Sequence, residues 1–245
     1  MARMLAIAAA VVADAVRRKV VWIVVVFAAL LAFVAPSLPS YGAGVADAVF
    51  REVSIALMFA ASLVVTIALA ASRVPSETER RTVYSILSCD VRRWQYLSGT
   101  WLGIVGVIGA TLLACSVVTV ATGAVVYATV MWRLFTAAFA VWLEMGVIAA
   151  MAVALSARFG VVTSSVGALA FVFIGHSVST LFGADAHGGG APWYVPSLEV
   201  FDVVNPVAHG TGYSIVTALG MLGAFVAWSV LLLALGTLVF DRRDL

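Results

Sequence analysis

The sequence predicts an all-α integral membrane protein with six transmembrane helices. Hydrophobic residues make up 64% of the 245 residues and charged residues only 11%, whereas about a quarter of the residues in a soluble domain are charged. The apolar residues form continuous runs close to the roughly 20 residues that one helical span needs. Backbone groups in hydrocarbon must hydrogen bond within their own segment, and the runs lack the alternation of barrel strands, so we expect helices.

Six such runs define one predicted transmembrane domain, residues 1–245. A polar loop at 73–98 joins spans two and three on the cytoplasmic side, and an extracytoplasmic loop at 183–215 precedes the last span. The predicted spans are 20–38, 53–72, 100–122, 134–157, 161–182 and 216–240.

Residues 1–19 predict an amphipathic helix at the membrane interface, with Arg3, Asp14 and Arg17 outside its apolar face. The short apolar stretch that ends at Ala13-Asp14-Ala15 also resembles a signal peptide with its cleavage site. The basic residues 17–19, directly before the first span, favour the interfacial helix. Its apolar face comprises Met4, Leu5, Ala8, Val11, Val12, Ala15 and Val16.

The basic residues are distributed unevenly about the predicted spans. With six spans both termini lie on one side of the membrane, and that side then holds twelve of the fourteen Lys and Arg. Arg51 and Arg133 are the two exceptions. Short cytoplasmic loops carry an excess of Lys and Arg, so we expect a multi-pass protein of the inner (plasma) membrane with both termini cytoplasmic. The net charge of +2 does not suggest a nucleic-acid partner.

The loop at 73–98 has the local pattern of two short helices. Ser76 and Glu79 fit a capping box, with Ser76 as the N-cap of a first helix that follows Pro75. Asp90 would cap a second helix that continues into the third span. A solvated hairpin that only connects two spans would have a similar composition, so composition alone does not assign the loop a function.

A longer pattern runs through this loop and into the third span: P-x-E-x-E-x-R-T-x-Y-x-x-L-S-x-x-V-x-R-x-x-Y-L-x-G-x-x-L-G. The residues that carry it are Pro75, Glu77, Glu79, Arg81, Thr82, Tyr84, Leu87, Ser88, Val91, Arg93, Tyr96, Leu97, Gly99, Leu102 and Gly103. It resembles the cytoplasmic loop of type-2 ABC export permeases, and most closely those associated with multi-copper enzyme maturation. Segments 196–201 and 240–245 also resemble that branch, so the resemblance covers essentially the whole chain. Cys89, Asp90 and Thr100 depart from its usual residues.

The resemblance implies a permease that pairs with a second permease chain, identical or homologous, above a cytoplasmic ABC ATPase subunit. The loop would form coupling helices seated in a cleft of the ATPase. ATP and Mg²⁺ would bind in that subunit, so we expect no catalytic residue, metal or cofactor site in this chain. The predicted ATPase-coupling residues are Glu77, Glu79, Arg81, Thr82, Tyr84, Leu87 and Arg93.

The outer loop before the last span is the predicted contact for an extracytoplasmic accessory protein. We expect residues 197–204 to form a short helical turn that rests on the outer membrane surface, among aromatic residues suited to the interface. The predicted contact residues are Pro196, Leu198, Glu199 and Phe201.

Glu144 is an acid deep within a predicted span, where a charge costs from about 3 to over 10 kcal/mol and usually faces a partner or a cavity. His176 is the predicted partner, with Ser116, Thr119 and Ser164 as alternatives. Glu144 then either lines a transport path or dimer seam, or is a hydrogen-bonded residue of the bundle without a transport role. The three His residues are scattered, which does not favour a metal site.

Taken together, these patterns predict the non-enzymatic permease subunit of an ABC exporter, acting as a dimer in contact with membrane lipid. Within that class the complex would either export a substrate or transmit mechanical work to an extracytoplasmic partner. The alternatives from other classes are a membrane scaffold or assembly subunit without energy coupling, and a secondary transporter. Secondary transporters usually have interrupted helices and more polar groups at mid-depth. The sequence does not identify the substrate.

Overall fold

The computed structural model describes residues 2–17, 20–36, 45–79, 92–178, 180, 196–208 and 210–241, and most of these residues are helical. No strand occurs in these ranges. A 3₁₀ turn spans Leu198–Phe201. The α-helices are α1 (Ala2–Arg17), α2 (Val21–Val34), α3 (Ala46–Glu79), α4 (Arg93–Tyr127), α5 (Leu134–Ser156), α6 (Val161–Gly175), α7 (Val204–Ala208) and α8 (Ile215–Asp241).

Four of these helices, α3, α4, α5 and α8, are long and apolar enough to cross a membrane. They coincide with the predicted second, third, fourth and sixth spans, so the all-α membrane class is confirmed. Helices α2 and α6 lie where the first and fifth spans are predicted, but they have only 14 and 15 residues. A span needs about 20, so crossing by these two helices stays a prediction.

Helix α5 lies at the centre of the bundle, with 72% of its apolar stretch buried against 22% for α8. It packs on α3, α4, α6 and α8. Its small residues allow this because they let neighbouring backbones approach closely. The buried small residues of α5 are Ala137, Ala138, Ala140, Gly146, Ala149, Ala150, Ala152 and Ser156.

Two indole hydrogen bonds join α4 to α5. Trp101 Nε1 donates to the Gly146 carbonyl at 2.8 Å, and Trp142 Nε1 donates to the Val105 carbonyl at 2.9 Å. Phe225 of α8 stacks on both tryptophan rings, with centroids 5.8 and 6.3 Å away. The Phe225 ring lies against Gly146 and leaves no room for a Cβ at that position. These contacts fix three long helices to one another.

Helix α1 packs on α4 at Gly99 and Gly103. A Cβ on Gly103 would lie 2.7 Å from Val11 Cβ and 2.8 Å from the Ala8 carbonyl oxygen. Val11 and Ala15 are buried there, and Met4 and Ala8 are half-buried. The other three residues of the predicted apolar face are exposed: Leu5 by 65%, Val12 by 41% and Val16 by 65%. The predicted N-terminal helix therefore forms, and its apolar surface divides between α4 and the surroundings.

The predicted capping box at Ser76 and Glu79 is wrong. Helix α3 continues through Pro75 to Glu79, and Ser76 Oγ donates to the Arg73 carbonyl at 2.9 Å, within the helix. A proline inside a helix costs about 3 kcal/mol or more, and tertiary contacts of Arg73 and Glu77 on either side of Pro75 offset that cost. Asp90 lies outside the described residues. Helix α4 begins at Arg93, and Arg92 is its N-cap residue. The backbone N–H of Arg92 donates to Gln95 Oε1 at 3.2 Å.

Candidate functional site

The first candidate site is a group of ion pairs and hydrogen bonds where three helices meet, which we call the Arg73 cluster: Asp14, Arg73, Glu77 and Tyr96. Arg73 Nη1 lies 2.8 Å from Asp14 Oδ2, and Arg73 Nε lies 2.6 Å from Glu77 Oε1. The Tyr96 hydroxyl donates to the other Glu77 oxygen at 2.5 Å. One arginine and one tyrosine thus join α1, α3 and α4.

Helix geometry positions each member of the Arg73 cluster. Arg73 and Glu77 are four residues apart on α3 and so lie on one face. Tyr96 is in the first turn of α4, and Asp14 is in the last turn of α1. The side chains of Arg73 and Glu77 are only 16% and 13% exposed, and Tyr96 is 1% exposed. Charged hydrogen bonds are stronger in such shielded places than at the surface.

Arg93 extends this connection to α8. Its Nη1 donates to the Phe240 carbonyl at 2.6 Å, and its guanidinium lies 5.4 Å from the centroid of the Phe240 ring. Tyr96 stacks on the same ring, with centroids 6.2 Å apart. An arginine that binds a carbonyl in the last turn of a helix satisfies a group that has no partner within the helix. The end of α8 is therefore fixed to the start of α4.

Among the predicted ATPase-coupling residues, Glu77 and Arg93 make these contacts within the chain. Glu79 is the last residue of α3, and its side chain lies outside the described part. The docking of these residues on an ATPase stays a prediction. The other four coupling residues also lie outside the described residues: Arg81, Thr82, Tyr84 and Leu87.

Sequence reasoning missed Asp14 and Arg73 as members of this site. The i,i+4 spacing of Arg73 and Glu77 was a local signal that could have been used. Asp14 gave no such signal, because it lies 59 residues before Arg73 in the chain. Tyr96 was part of the family-like pattern but was not assigned a role.

The second candidate site is the pair formed by Glu144 and His176. His176 Nε2 lies 2.7 Å from Glu144 Oε1, so the predicted partnership is confirmed. Glu144 is 3% exposed and His176 is 34% exposed at the side chain. The alternative partners Ser116 and Thr119 instead donate to carbonyls of their own helix, at 2.7 and 2.8 Å.

A cavity of about 310 Å³ adjoins this pair, and we call it the His176 cavity. Phe59 meets the His176 ring edge-on, with centroids 5.6 Å apart. Asp202 also lines the cavity, and its Oδ1 accepts a hydrogen bond from the Val204 N–H at 3.0 Å, at the start of α7. The remaining lining residues are apolar: Ile55, Val141, Phe201, Val203 and Val204.

The 3₁₀ turn closes one side of the His176 cavity. Leu198 packs against Gly175, where a Cβ would lie 2.6 Å from Leu198 Cγ. Leu198 and Phe201 are 1% and 2% exposed. In this conformation the side chains of Leu198 and Phe201 anchor the turn within the bundle. Their predicted role as extracytoplasmic contact residues stays a prediction. Pro196 and Glu199 are half-buried.

The two sites have different chemical capacities. The Arg73 cluster is a network of ion pairs and hydrogen bonds that holds α1, α3 and α4 together. The His176 cavity combines a carboxylate–imidazole pair, a second carboxylate and an aromatic edge in a small space, which suits a cation or an exchangeable proton.

Comparison with protein-family models and with curated proteins identifies no relative of this chain. No protein-family model matches it, and no curated protein matches it.

Proposed function

We propose that this chain is the transmembrane permease subunit of an ATP-driven ABC exporter. Two such chains, identical or homologous, pair in the inner membrane with both termini in the cytoplasm, and α2 and α6 complete six spans. A separate cytoplasmic ABC ATPase binds ATP and Mg²⁺. The loop that joins α3 to α4 docks on that ATPase and receives its movement.

The observation that carries this proposal is the Arg73 cluster at the base of that loop. The chain leaves α3 after Glu79 and re-enters the described part at Arg92. Glu77 and Tyr96, on either side, are hydrogen bonded to each other. A displacement of the loop therefore acts on α3 and α4 together, and through Asp14 on α1. The sequence pattern from Pro75 to Gly103 supports the same role.

The lengths of α3 and α4 also support the proposal. They have 34 and 35 residues, which is about 50 Å of helix at 1.5 Å per residue. The hydrocarbon core is about 30 Å thick. Both helices therefore extend beyond the hydrocarbon, and the extensions next to the loop carry the Arg73 cluster. Such extensions act as rigid levers between an aqueous partner and the membrane.

The His176 cavity bears on what the complex does. Its volume of about 310 Å³ is at the lower end of the range for small-molecule sites, roughly 300–1,000 Å³. This favours a small substrate, or mechanical transmission to an extracytoplasmic partner, over a large hydrophilic substrate held within one chain.

Affinity purification from native membranes tests the proposal. The tagged chain is expected to retain a stoichiometric P-loop ATPase, and the double variant Arg81→Glu/Leu87→Asp is expected to lose it. Arg158→Glu is the matched control, because it reverses an exposed arginine beyond the end of α5, and it is expected to retain the ATPase. Isolation of the chain without an ATPase, even after chemical cross-linking in the membrane, would refute the proposal.

The Glu144–His176 pair supports a second candidate function, a proton-coupled secondary transporter. A titratable pair beside a mid-depth cavity is typical of proton relays. In that case the chain would work in liposomes without an ATPase, driven by a pH gradient, and Glu144→Gln would abolish the transport. Dependence on ATP hydrolysis would exclude this candidate.

A further inference from the structure

The His176 cavity connects a shielded carboxylate to an exposed one. Glu144 lies near the middle of α5 with a side chain that is 3% exposed, whereas Asp202 follows the 3₁₀ turn and is exposed. Both residues line the same cavity of about 310 Å³. The cavity therefore extends from the surface of the bundle to a buried acid, and a small ligand can reach that acid without separating the helices.

The cavity carries an excess of negative charge. Within the described residues, neither Glu144 nor Asp202 forms an ion pair with a Lys or Arg, and no Lys or Arg lines the cavity. The imidazole of His176 is the one basic group along the described lining. Two ionised carboxylates outweigh this imidazole even when it carries a proton. Because a shielded charge is costly without a counter-charge, the cavity favours a cation.

Each carboxylate also keeps one oxygen for a ligand. His176 Nε2 lies 2.7 Å from Glu144 Oε1, and Glu144 Oε2 has no hydrogen-bond partner in the part of the chain that the structure describes. Asp202 Oδ1 accepts from the Val204 N–H at 3.0 Å, and the same holds for its Oδ2. An ionised carboxylate accepts hydrogen bonds at both oxygens, so a donor on a bound cation finds an acceptor here.

The remaining lining is suited to an organic cation. In the described ranges, no group of three or more His, Cys, Asp and Glu side chains is placed to hold a metal ion. An ammonium group on a small apolar body matches two carboxylates in an apolar wall, and Phe rings also attract cations. The volume corresponds to about ten water molecules, which limits the body to a single ring or a short chain. The apolar lining residues are Ile55, Phe59, Val141, Phe201, Val203 and Val204.

We propose that the His176 cavity binds a small primary ammonium ion. The ammonium group donates to Glu144, Asp202 attracts the cation at the exposed end, and the apolar body lies among the side chains of α3, α5 and the 3₁₀ turn. Binding needs no ATPase. Transport of such an amine across the membrane rests on the proposed function, for which it names the substrate class.

Fluorine NMR of the purified full chain in detergent tests this, with 4-fluorobenzylamine and 4-fluorobenzyl alcohol as probes. The two probes have nearly the same shape, but only the amine is positively charged at neutral pH. Detergent micelles without protein correct for the partition of each probe. The wild type is expected to bind the amine about tenfold more tightly than the alcohol, or more, as one charged hydrogen bond predicts.

Two variants test the carboxylates while keeping the hydrogen bonds that they make within the chain. Glu144→Gln retains an acceptor for His176 and should weaken amine binding about tenfold or more. Asp202→Asn retains the acceptor for the Val204 N–H and should weaken it about two- to fivefold, because the side chain is exposed. Glu52→Gln is the matched control, since Glu52 is an exposed acid of α3 that does not line the cavity, and it should bind like the wild type.

Three results would overturn the proposal. Equal affinity of the wild type for the amine and the alcohol would show that the charge is not recognised, and this comparison needs no variant to fold. An equal loss in Glu52→Gln would indicate general surface charge. Unchanged amine binding in the Glu144→Gln/Asp202→Asn double variant would place the cation elsewhere. Because the chain is measured without an ATPase, none of these results depends on whether an ATPase is captured from native membranes.

Discussion

At the scale of single residues, Tyr96 makes an unusually consequential contact. Its hydroxyl binds one oxygen of Glu77 while Arg73 holds the other. The acceptor is a shielded carboxylate, and removing a donor from such a group costs more than removing a neutral hydrogen bond. The Glu77 carboxylate is thus compensated by Arg73 of α3 and Tyr96 of α4, and through Tyr96 it links the two helices.

Tyr96→Phe is therefore expected to lower the free energy of unfolding by about 1–3 kcal/mol. The measurement is denaturant or thermal unfolding of the purified chain in detergent. Tyr213→Phe is the matched control, because its hydroxyl donates to the neutral Thr136 carbonyl at a more exposed position, and it should cost about 1 kcal/mol or less. Equal losses in the two variants would contradict the special role of Tyr96.

The Glu144–His176 pair predicts that removal of one partner destabilises the chain more than removal of both. His176→Phe leaves Glu144 buried without its partner and is expected to destabilise the chain by up to about 3 kcal/mol, a figure reduced by the partial exposure of His176. The double variant His176→Phe/Glu144→Leu removes both polar groups and should recover most of that loss.

Unfolding measurements on the single and double variants, under one detergent condition, test this. If the double variant were as unstable as His176→Phe, the loss would come from the shape of the cavity instead of the unpaired carboxylate.

At the scale of elements, helix α4 has two neighbouring glycines with opposite environments. Gly103 lies against α1, while a Cβ on Gly106 would meet nothing within 4 Å. Gly103→Ala is expected to push α1 away and cost about 1–3 kcal/mol. Gly106→Ala should be neutral or stabilising, because Ala favours a helix over Gly by up to about 1 kcal/mol.

The displacement of α1 can be followed at Ala15, which is 1% exposed. In a background with Cys89 and Cys115 replaced by Ala, maleimide should label Ala15→Cys much faster beside Gly103→Ala than beside Gly106→Ala. Equal labelling rates would show that α1 does not depend on close approach at Gly103.

Helix α3 shows why its boundary could not be predicted from local sequence. Ser76 and Glu79 after Pro75 form a helix-start pattern, and that pattern is sufficient when the preceding residues are not helical. Here the preceding turns are already part of a long helix. Arg73 and Glu77 are anchored by Asp14 and Tyr96, so tertiary contacts decide the conformation at Pro75.

At the scale of the whole molecule, the fold class could be predicted because long apolar runs have few solutions in lipid. The partner of Glu144 could be predicted for a related reason, since a deep acid needs a polar group at the same depth. Contacts between distant segments could not be predicted from the sequence. Arg93 donates to the carbonyl of Phe240, 147 residues later, and the guanidinium groups of Arg51 and Arg133 both lie near Gly210. No local pattern encodes such meetings.

The packing of α1 on Gly99 and Gly103 has a consequence for the order of biosynthesis. Helix α1 is made before its docking surface on α4, which follows about 90 residues later, several seconds at ordinary rates of translation. Until α4 has been inserted, Val11 and Ala15 lack the helix on which they pack. Helix α1 can therefore reach its final position only after α4 has arrived, although it is made before α2 and α3.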